Sequence, residues 1–365
     1  MDFTKTEASK DLSGLVATIV ESICTPQHQK SLDALDQRLD TMLWSKLIDA
    51  DVLSTAAPES VGGGGFGVLE QTAILTALGR QIAAVPYLES VVLAGGALAH
   101  FGSPALQQAW AAPAVAGEKI VTVALDGEFG QAPVKATATG DGFRLTGTRT
   151  QVPFGPVADA FLVPADTDSG TKVFLVPAGH AGVTVTALQT TGQNSAGELD
   201  LHGVDLSAEH LVGDGDALAW LSTHRALGLT AYQLGVLERA LELTADYART
   251  REQFGRPIGS FQAVSQRLAD DYIEIKGLRL TLEQASWRLS EDLPAETEVA
   301  TAAFWAAEAG HRVAHTTVHV HGGVGIDMDH PVHRYFITAK QIEFALGGAT
   351  SRLLIIGRDL AGTPA

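Results

Sequence analysis

A chain of 365 residues, 45 % hydrophobic and 18 % charged, can bury a sizeable core and form two or three domains. Lys and Arg number 25 against 42 Asp and Glu, and the formal charge of −17 argues against nucleic acid or an anionic membrane as a partner. The one cysteine, Cys24, permits no internal disulfide. Met1-Asp2-Phe3-Thr4-Lys5 lacks the basic-then-apolar pattern of a leader, and no apolar run of about 18 residues reads as a membrane span, so a cytoplasmic chain is expected.

Residues 1–118 read as a helical domain. Leu32, Leu35, Leu39, Met42, Leu43 and Leu47 recur at spacings of three and four and predict one apolar helix face. A second helix is predicted over Leu69–Ala83, stopping before Pro86. Between them, Pro58-Glu59-Ser60-Val61-Gly62-Gly63-Gly64-Gly65-Phe66-Gly67 must be a loop, because consecutive glycines hold no regular element cheaply. A phosphate cradle is its weaker reading, since no strand precedes the glycines and no Lys follows them. Over 119–213 the pattern changes to short β-like runs: Ile120–Leu125, Phe143–Val152, Ala158–Val163, Lys172–Val176 and Val183–Leu188. Gly and Asp clusters separate them, which predicts an antiparallel β-domain. From 214 to 365 the helical pattern returns. Leu227, Ala231, Leu234, Leu237, Leu241, Ala245 and Ala248 form one long stripe, and further helices are predicted around Val264–Leu289 and Thr297–His319. Their surplus apolar faces predict a helical bundle with subunit contacts.

The run Arg251-Glu252-Gln253-Phe254-Gly255-Arg256-Pro257-Ile258-Gly259-Ser260-Phe261-Gln262 places Arg251 and Phe254 three apart at the end of the long helix, where they can face the same way. A guanidinium grips a pyrophosphate through paired hydrogen bonds, and an aromatic ring is a flat neighbour for adenine. In His319-Val320-His321-Gly322-Gly323-Val324-Gly325 the glycines let a diphosphate approach the backbone without Cβ clashes. His311, His315 and His319, four apart on one predicted helix, raise a zinc site, but no Cys, Asp or Glu joins them at a ligand spacing. Partly buried or interface histidines, and no metal, are expected.

Together these segments resemble, in order and spacing, the flavin-dependent acyl-CoA dehydrogenases, and the resemblance covers nearly the whole chain. It implies an α+β fold: an N-terminal helical domain (1–118), a middle antiparallel β-domain (119–213) and a C-terminal helical bundle (214–365). The glycine loop at 58–67 resembles a structural loop of that family. The resemblance further implies that Arg251, Phe254 and Gln262, with His319, Gly322 and Gly323, contact the ADP part of an FAD held by the adjacent subunit. His319 stands where the family usually has Gln, and it can still donate a hydrogen bond to an anion.

Against these matches stand three departures. The segment Phe344-Ala345-Leu346-Gly347-Gly348-Ala349-Thr350 carries Leu346 where the family usually has the Glu that removes the substrate α-proton, and a hydrocarbon cannot accept a proton. The stretch Ala124-Leu125-Asp126-Gly127-Glu128-Phe129-Gly130-Gln131-Ala132-Pro133 puts Asp126 about where a neutral Thr contacts the flavin, and a carboxylate there would repel charge on reduced flavin. In the flavin-flanking segment Gln151-Val152-Pro153-Phe154, Pro153 offers no backbone donor. The alternative family position for a base falls on Thr223-His224-Arg225-Ala226, which has no carboxylate, and Glu343 reads as a surface carboxylate.

This asymmetry resembles the companion subunit of actinobacterial heteromeric α2β2 acyl-CoA dehydrogenases of steroid (cholesterol) side-chain degradation. The implied complex performs α,β-dehydrogenation of an acyl-CoA: a Glu of the catalytic partner takes the α-proton and a hydride leaves the β-carbon for the flavin. FAD is shared with that partner, the acyl-CoA is bound mainly by it, and electrons pass to an electron-transfer flavoprotein. No catalytic residue is expected in this chain. A non-enzymatic homo-oligomeric binding or scaffold protein on the same fold, or a flavoenzyme of different chemistry, stays open as an alternative.

Overall fold

The structure, a computed structural model, describes residues 6–127 and 130–362. Its residues divide into two compact units, each assembled from separate stretches of chain. One comprises residues up to 26, 68–83 and 226 onward; the other comprises 27–67 and 84–225.

The first unit is helical. Its elements are α1 (Glu7–Ile23), α2 (Val68–Arg80), the part of α3 (Gly215–Thr250) from Ala226 on, α4 (Gln262–Ser290), α5 (Glu296–His321), α6 (Val332–Ala345) and α7 (Gly348–Gly362). The hydroxyls of Thr6 and Ser9 at the start of α1 donate to the buried Glu70 carboxylate on α2 at 2.7 and 3.0 Å, so this acid is solvated by the neighbouring helix. Two glycines let α2 and α3 come unusually close: a Cβ on Gly79 would stand 2.1 Å from the Tyr232 carbonyl oxygen, and one on Gly235 would stand 2.0 Å from that of Thr76. Helix α5 runs through the middle, packing on α4, α6 and α7. Its inward face is largely alanine (Ala302, Ala303, Ala306, Ala307 and Ala309 are all buried), which keeps neighbouring backbones near.

The second unit holds an eight-stranded sheet. Its strands are β1 (Val121–Val123), β2 (Val134–Thr139), β3 (Gly142–Pro153), β4 (Ala160–Thr167), β5 (Gly170–Pro177), β6 (Val183–Ala187), β7 (Ala196–Ser207) and β8 (Leu211–Gly213). The order is β6-β7-β3-β2-β4-β5-β8, with β1 also on β4. Inward residues such as Leu145, Phe161, Phe174, Leu199 and Leu201 make one fully buried core. The sheet is mixed rather than purely antiparallel, because β1 and β2 both pair with β4 in parallel. They do so one after the other: β1 meets Ala160–Leu162 and β2 meets Ala165 and Asp166.

The stripe Leu32 to Leu47 is not one helix. A short helix ends at Leu32, and another begins at Thr41, where Asp40 accepts a hydrogen bond from the Leu43 N–H at 2.9 Å as an N-cap. Leu35 and Met42 consequently face solvent, while Leu43 and Leu47 are fully buried. The loop at 58–67 turns its backbone donors inward: the N–H groups of Gly63, Gly64 and Gly65 bond the carbonyls of Pro58, Ser54 and Ala57, each at 3.0 Å. Those donors are occupied, which removes the phosphate-cradle reading. Cys24 is buried and forms no disulfide, and no helix among the described residues is long and apolar enough to cross a membrane.

Candidate functional site

The end of α3 differs from expectation. The helix stops at Thr250, so Arg251 and Phe254 stand beyond it on a tight hairpin and not on one helix face. Strands β9 (Glu252–Gln253) and β10 (Arg256–Pro257) pair antiparallel across Phe254 and Gly255, whose φ angles are +54° and +76°. Two successive positive φ values give the turn that suits Asn-Gly, and a phenylalanine in the first position costs about 1 kcal/mol of backbone strain. The strain goes with presentation: the Phe254 ring is 92 % exposed. It meets Phe261 edge-on at 6.1 Å between centroids, and the Arg256 guanidinium covers Phe261 at 4.2 Å. Gln262, exposed, is the first residue of α4 and directly follows Phe261. Arg251, Phe254 and Gln262 therefore share one corner, closed by the Ile258 N–H donating to the Arg251 carbonyl at 2.8 Å.

The second motif caps α5. His319, Gly322 and Gly323 are all exposed, and a Cβ on either glycine would meet nothing within 4 Å. Gly322 (φ +60°) turns the chain into a single 3-10 turn, Gly322–Ile326. Its own N–H bonds back to the His319 and Val318 carbonyls, so this donor is used inside the chain. His321, buried at 4 %, stacks on Tyr247 of α3 at 4.4 Å between centroids. That stack brings the two motifs to neighbouring helix ends. The corner is exposed and carries the guanidiniums of Arg251 and Arg256 and the His319 imidazole, which fits the adenosine diphosphate portion of an FAD.

Of the other histidines, His311 lies 2.9 Å from the Lys340 ammonium and 3.2 Å from the Glu343 carboxylate, and His315 rests edge-on against Phe336. An ammonium beside the imidazoles opposes a cation, and no group of three or more metal-capable side chains occurs among the described residues.

At the position read as the missing base, Leu346 caps α6 and is completely buried. Gly347 and Gly348, with φ of +78° and +76°, turn the chain into α7, and the Arg352 guanidinium donates to the Leu346 carbonyl. Glu343 is not the free surface carboxylate expected: its side chain is 14 % exposed and is bound by Lys340 at 2.5 Å and by His311.

In the second unit, the first flavin-flanking segment follows β1 and the second lies at the end of β3. The stretch 124–133 spans the gap between β1 and β2 along the edge of β4; Glu128 and Phe129 lie outside the described residues. Beside it, the Thr122 hydroxyl donates to the Pro153 carbonyl at 2.6 Å, where β3 loses register and Gln151 and Phe154 take positive φ. Asp126 is not a free charge: it is ion-paired to Arg225. Burial pushes the nearby Glu89 carboxyl up to about 7, against its backbone hydrogen bond and the attraction of Arg225. His224 stacks on Trp220 at 3.7 Å, and burial holds it down at about 4. An ion pair, a buried acid and a proline without a donor do not fit a flavin ring. Sequence reasoning missed Glu89, although one acid inside the apolar run Val85–Leu93 was a usable signal. It also missed the Tyr247–His321 stack, for which no sequence signal exists.

Family profiles match in two places: the acyl-CoA dehydrogenase N-terminal domain over residues 6–118 and the C-terminal domain over 216–361. The chain is 68 % identical to the acyl-CoA dehydrogenase FadE27 of Mycobacterium tuberculosis, over the whole of both chains. Among solved structures, it is 70 % identical, with a TM-score of 0.98 and full coverage of both chains, to a chain of the ChsE4–ChsE5 complex of Mycobacterium tuberculosis. A chain of the Tcur3481–Tcur3483 steroid ACAD shares 37 % identity, with a TM-score of 0.91 over 98 % of each chain. With both terminal domains matched and a relative this near along its full length, the chain belongs to the acyl-CoA dehydrogenase family.

Proposed function

We propose that this chain is the non-catalytic companion subunit of a heteromeric, FAD-dependent acyl-CoA dehydrogenase acting on a steroid side-chain CoA thioester. The observation that carries the proposal is the fully buried Leu346 at the family's base position, in a chain whose Arg251–Gln262 corner stays exposed. The heteromeric and steroid parts draw support from the similarity to chains of the ChsE4–ChsE5 complex and the Tcur3481–Tcur3483 steroid ACAD.

In this reading FAD, when bound, supplies the hydride acceptor for α,β-dehydrogenation. This chain's own residues bind and orient. Arg251 offers paired donors to a diphosphate, Phe254 offers its face to adenine, and Gln262 adds an amide at the start of α4. His319, Gly322 and Gly323 form the second wall. The Asp126–Arg225 pair and Leu346 leave this chain without a flavin pocket or a base of its own, so the partner subunit contributes both. It also binds most of the acyl-CoA, and the complex delivers electrons to an electron-transfer flavoprotein.

Flavin absorbance of the chain purified alone, and again after co-expression with a catalytic acyl-CoA dehydrogenase subunit, tests the proposal. The expected result is a colourless single chain and a yellow, active complex. A yellow homo-oligomer that oxidises any acyl-CoA would overturn it.

A further inference from the structure

Helices α3 and α5 run side by side in the same direction. The Gln233 amide donates to the Ala306 carbonyl at 3.3 Å and the Thr244 hydroxyl donates to the Thr317 hydroxyl at 3.3 Å, both pairs 73 residues apart. The Tyr247–His321 stack continues the same register to the last turn of each helix. Beyond it, the two chains leave their helices and carry the proposed cofactor contacts. Tyr247 accepts the Arg251 N–H through its carbonyl at 2.8 Å, and Phe254 follows on the hairpin. His321 is fixed by its own ring donating to the Thr317 carbonyl at 2.8 Å. The turn after it folds back hard, since a Cβ on Gly325 would stand 3.2 Å from the His321 Cβ and 2.9 Å from the Val318 carbonyl oxygen. The links at Gln233 and Thr244 lie deeper along the two helices, and the stack is the one next to the helix ends.

The geometry points to Tyr247 and His321 as positioning residues, a ring pair that holds the Arg251–Phe254 hairpin and the His319–Gly323 turn in register as the two jaws of one nucleotide clamp. This inference rests on the proposed cofactor role of those jaws. Neither ring touches the nucleotide. Each acts through the segment it anchors, so a residue outside the recognisable motifs sets the spacing on which both depend.

The test uses the assembled complex and reads FAD release by the rise in flavin fluorescence, well below the melting transition. Losing one aromatic pair should speed release by about 2- to 10-fold in Tyr247→Ala and His321→Ala. Tyr247→Phe, which keeps the stack, should stay within about two-fold of the parent. A double-mutant cycle separates positioning from general loosening: in an Arg251→Ala background, Tyr247→Ala should add little, because the jaw it positions is already gone. Amide hydrogen exchange at Phe254–Gly255 and Gly322–Gly325 should quicken in both alanine variants without FAD. If Arg251→Ala slows or speeds nothing, the cofactor reading itself falls, and this inference with it. If Arg251→Ala speeds release while Tyr247→Ala is silent, or adds its full effect on top, the clamp is refuted and the cofactor reading survives.

Discussion

Restoring the family's base should damage this chain before it could help it. Leu346 is completely buried at the junction of α6 and α7, so Leu346→Glu removes a core side chain worth about 1.5–3 kcal/mol. Keeping the new carboxyl neutral at pH 7.5 adds about 4 kcal/mol, from roughly three units above an ordinary glutamate at about 1.4 kcal/mol each. With a melting entropy of about 2 cal/mol/K per residue, the sum lowers the melting temperature by roughly 7–10 °C. The charge part has a definite pH sign. A buried Glu has a folded-state pKa above its unfolded value, so its stability is intact below about pH 4.3 and is lost as the pH rises. Calorimetric melting from pH 4.5 to 8 should therefore show the gap to the parent widening with pH, while Leu346→Met stays within about 1.5 kcal/mol throughout. No acyl-CoA oxidation should appear, because a base contributes only where flavin and thioester are already positioned. A variant that melts like the parent, or one that turns over substrate as an isolated chain, would refute the reasoning.

Three further outcomes follow from the same geometry. In the assembled complex, Arg251→Ala should weaken FAD retention about 10- to 150-fold, the loss of a charge-assisted bond, with Arg251→Lys recovering part of it; fluorescence titration reads both. Phe254→Asn should relieve the left-handed strain, raising hairpin stability by about 1 kcal/mol in amide exchange while weakening FAD binding; a gain in both would deny Phe254 its role. Asp271, 3 % exposed on α4, is pushed up to about 7, chiefly by burial and further by Glu274 and Asp270, against its bond to Thr316. Its folded pKa lies above the unfolded one, so stability is lost as the pH rises from about 4 to 7, and Asp271→Asn should be the more stable protein above pH 7 by at most about 4 kcal/mol, with parallel melting curves across pH 5–8 counting against it.

Much of the architecture was legible because periodicity reports burial. The predicted helices at Leu69, Val264 and Thr297 sit within a few residues of α2, α4 and α5. Where several short elements share one spacing the signal misleads. The leucines from Leu32 to Leu47 keep a helical rhythm across a break that only Asp40, as a cap and as the 2.7 Å partner of His28, reveals. Strands β2 and β7 went unread for another reason. The inward leucines of β7 alternate with Asp and His and its one β-branched residue is Val204, while β2 is only six residues long and mixes Val and Thr with Lys and Ala. The parallel pairing of β1 and β2 on β4 joins residues tens of positions apart and leaves no local trace. At the site, residue identity suggests a chemistry for Arg251 and Leu346. It could not show that Phe254 is held out by a strained turn, that the Gly322 N–H is used internally, or that Asp126 already has a counter-ion.

The shared direction of α3 and α5 has an electrostatic consequence. Both helices end at the same corner, so their carbonyl termini add two partial negative charges where a diphosphate would lie. Anion sites are normally built at the opposite pole, on free N–H groups. Here the backbone field repels a phosphate, and so does a chain carrying −17 overall. Attraction rests on the Arg251 and Arg256 guanidiniums, the His319 imidazole and the short-range fit of Phe254. On the proposed reading, free nucleotides from solution would be discouraged, and a dinucleotide already anchored at its far end by another subunit would be favoured, because its local concentration offsets the weak field. Such a corner behaves as a latch and not as a receptor, and its grip should loosen steeply as salt screens its few attractive contacts.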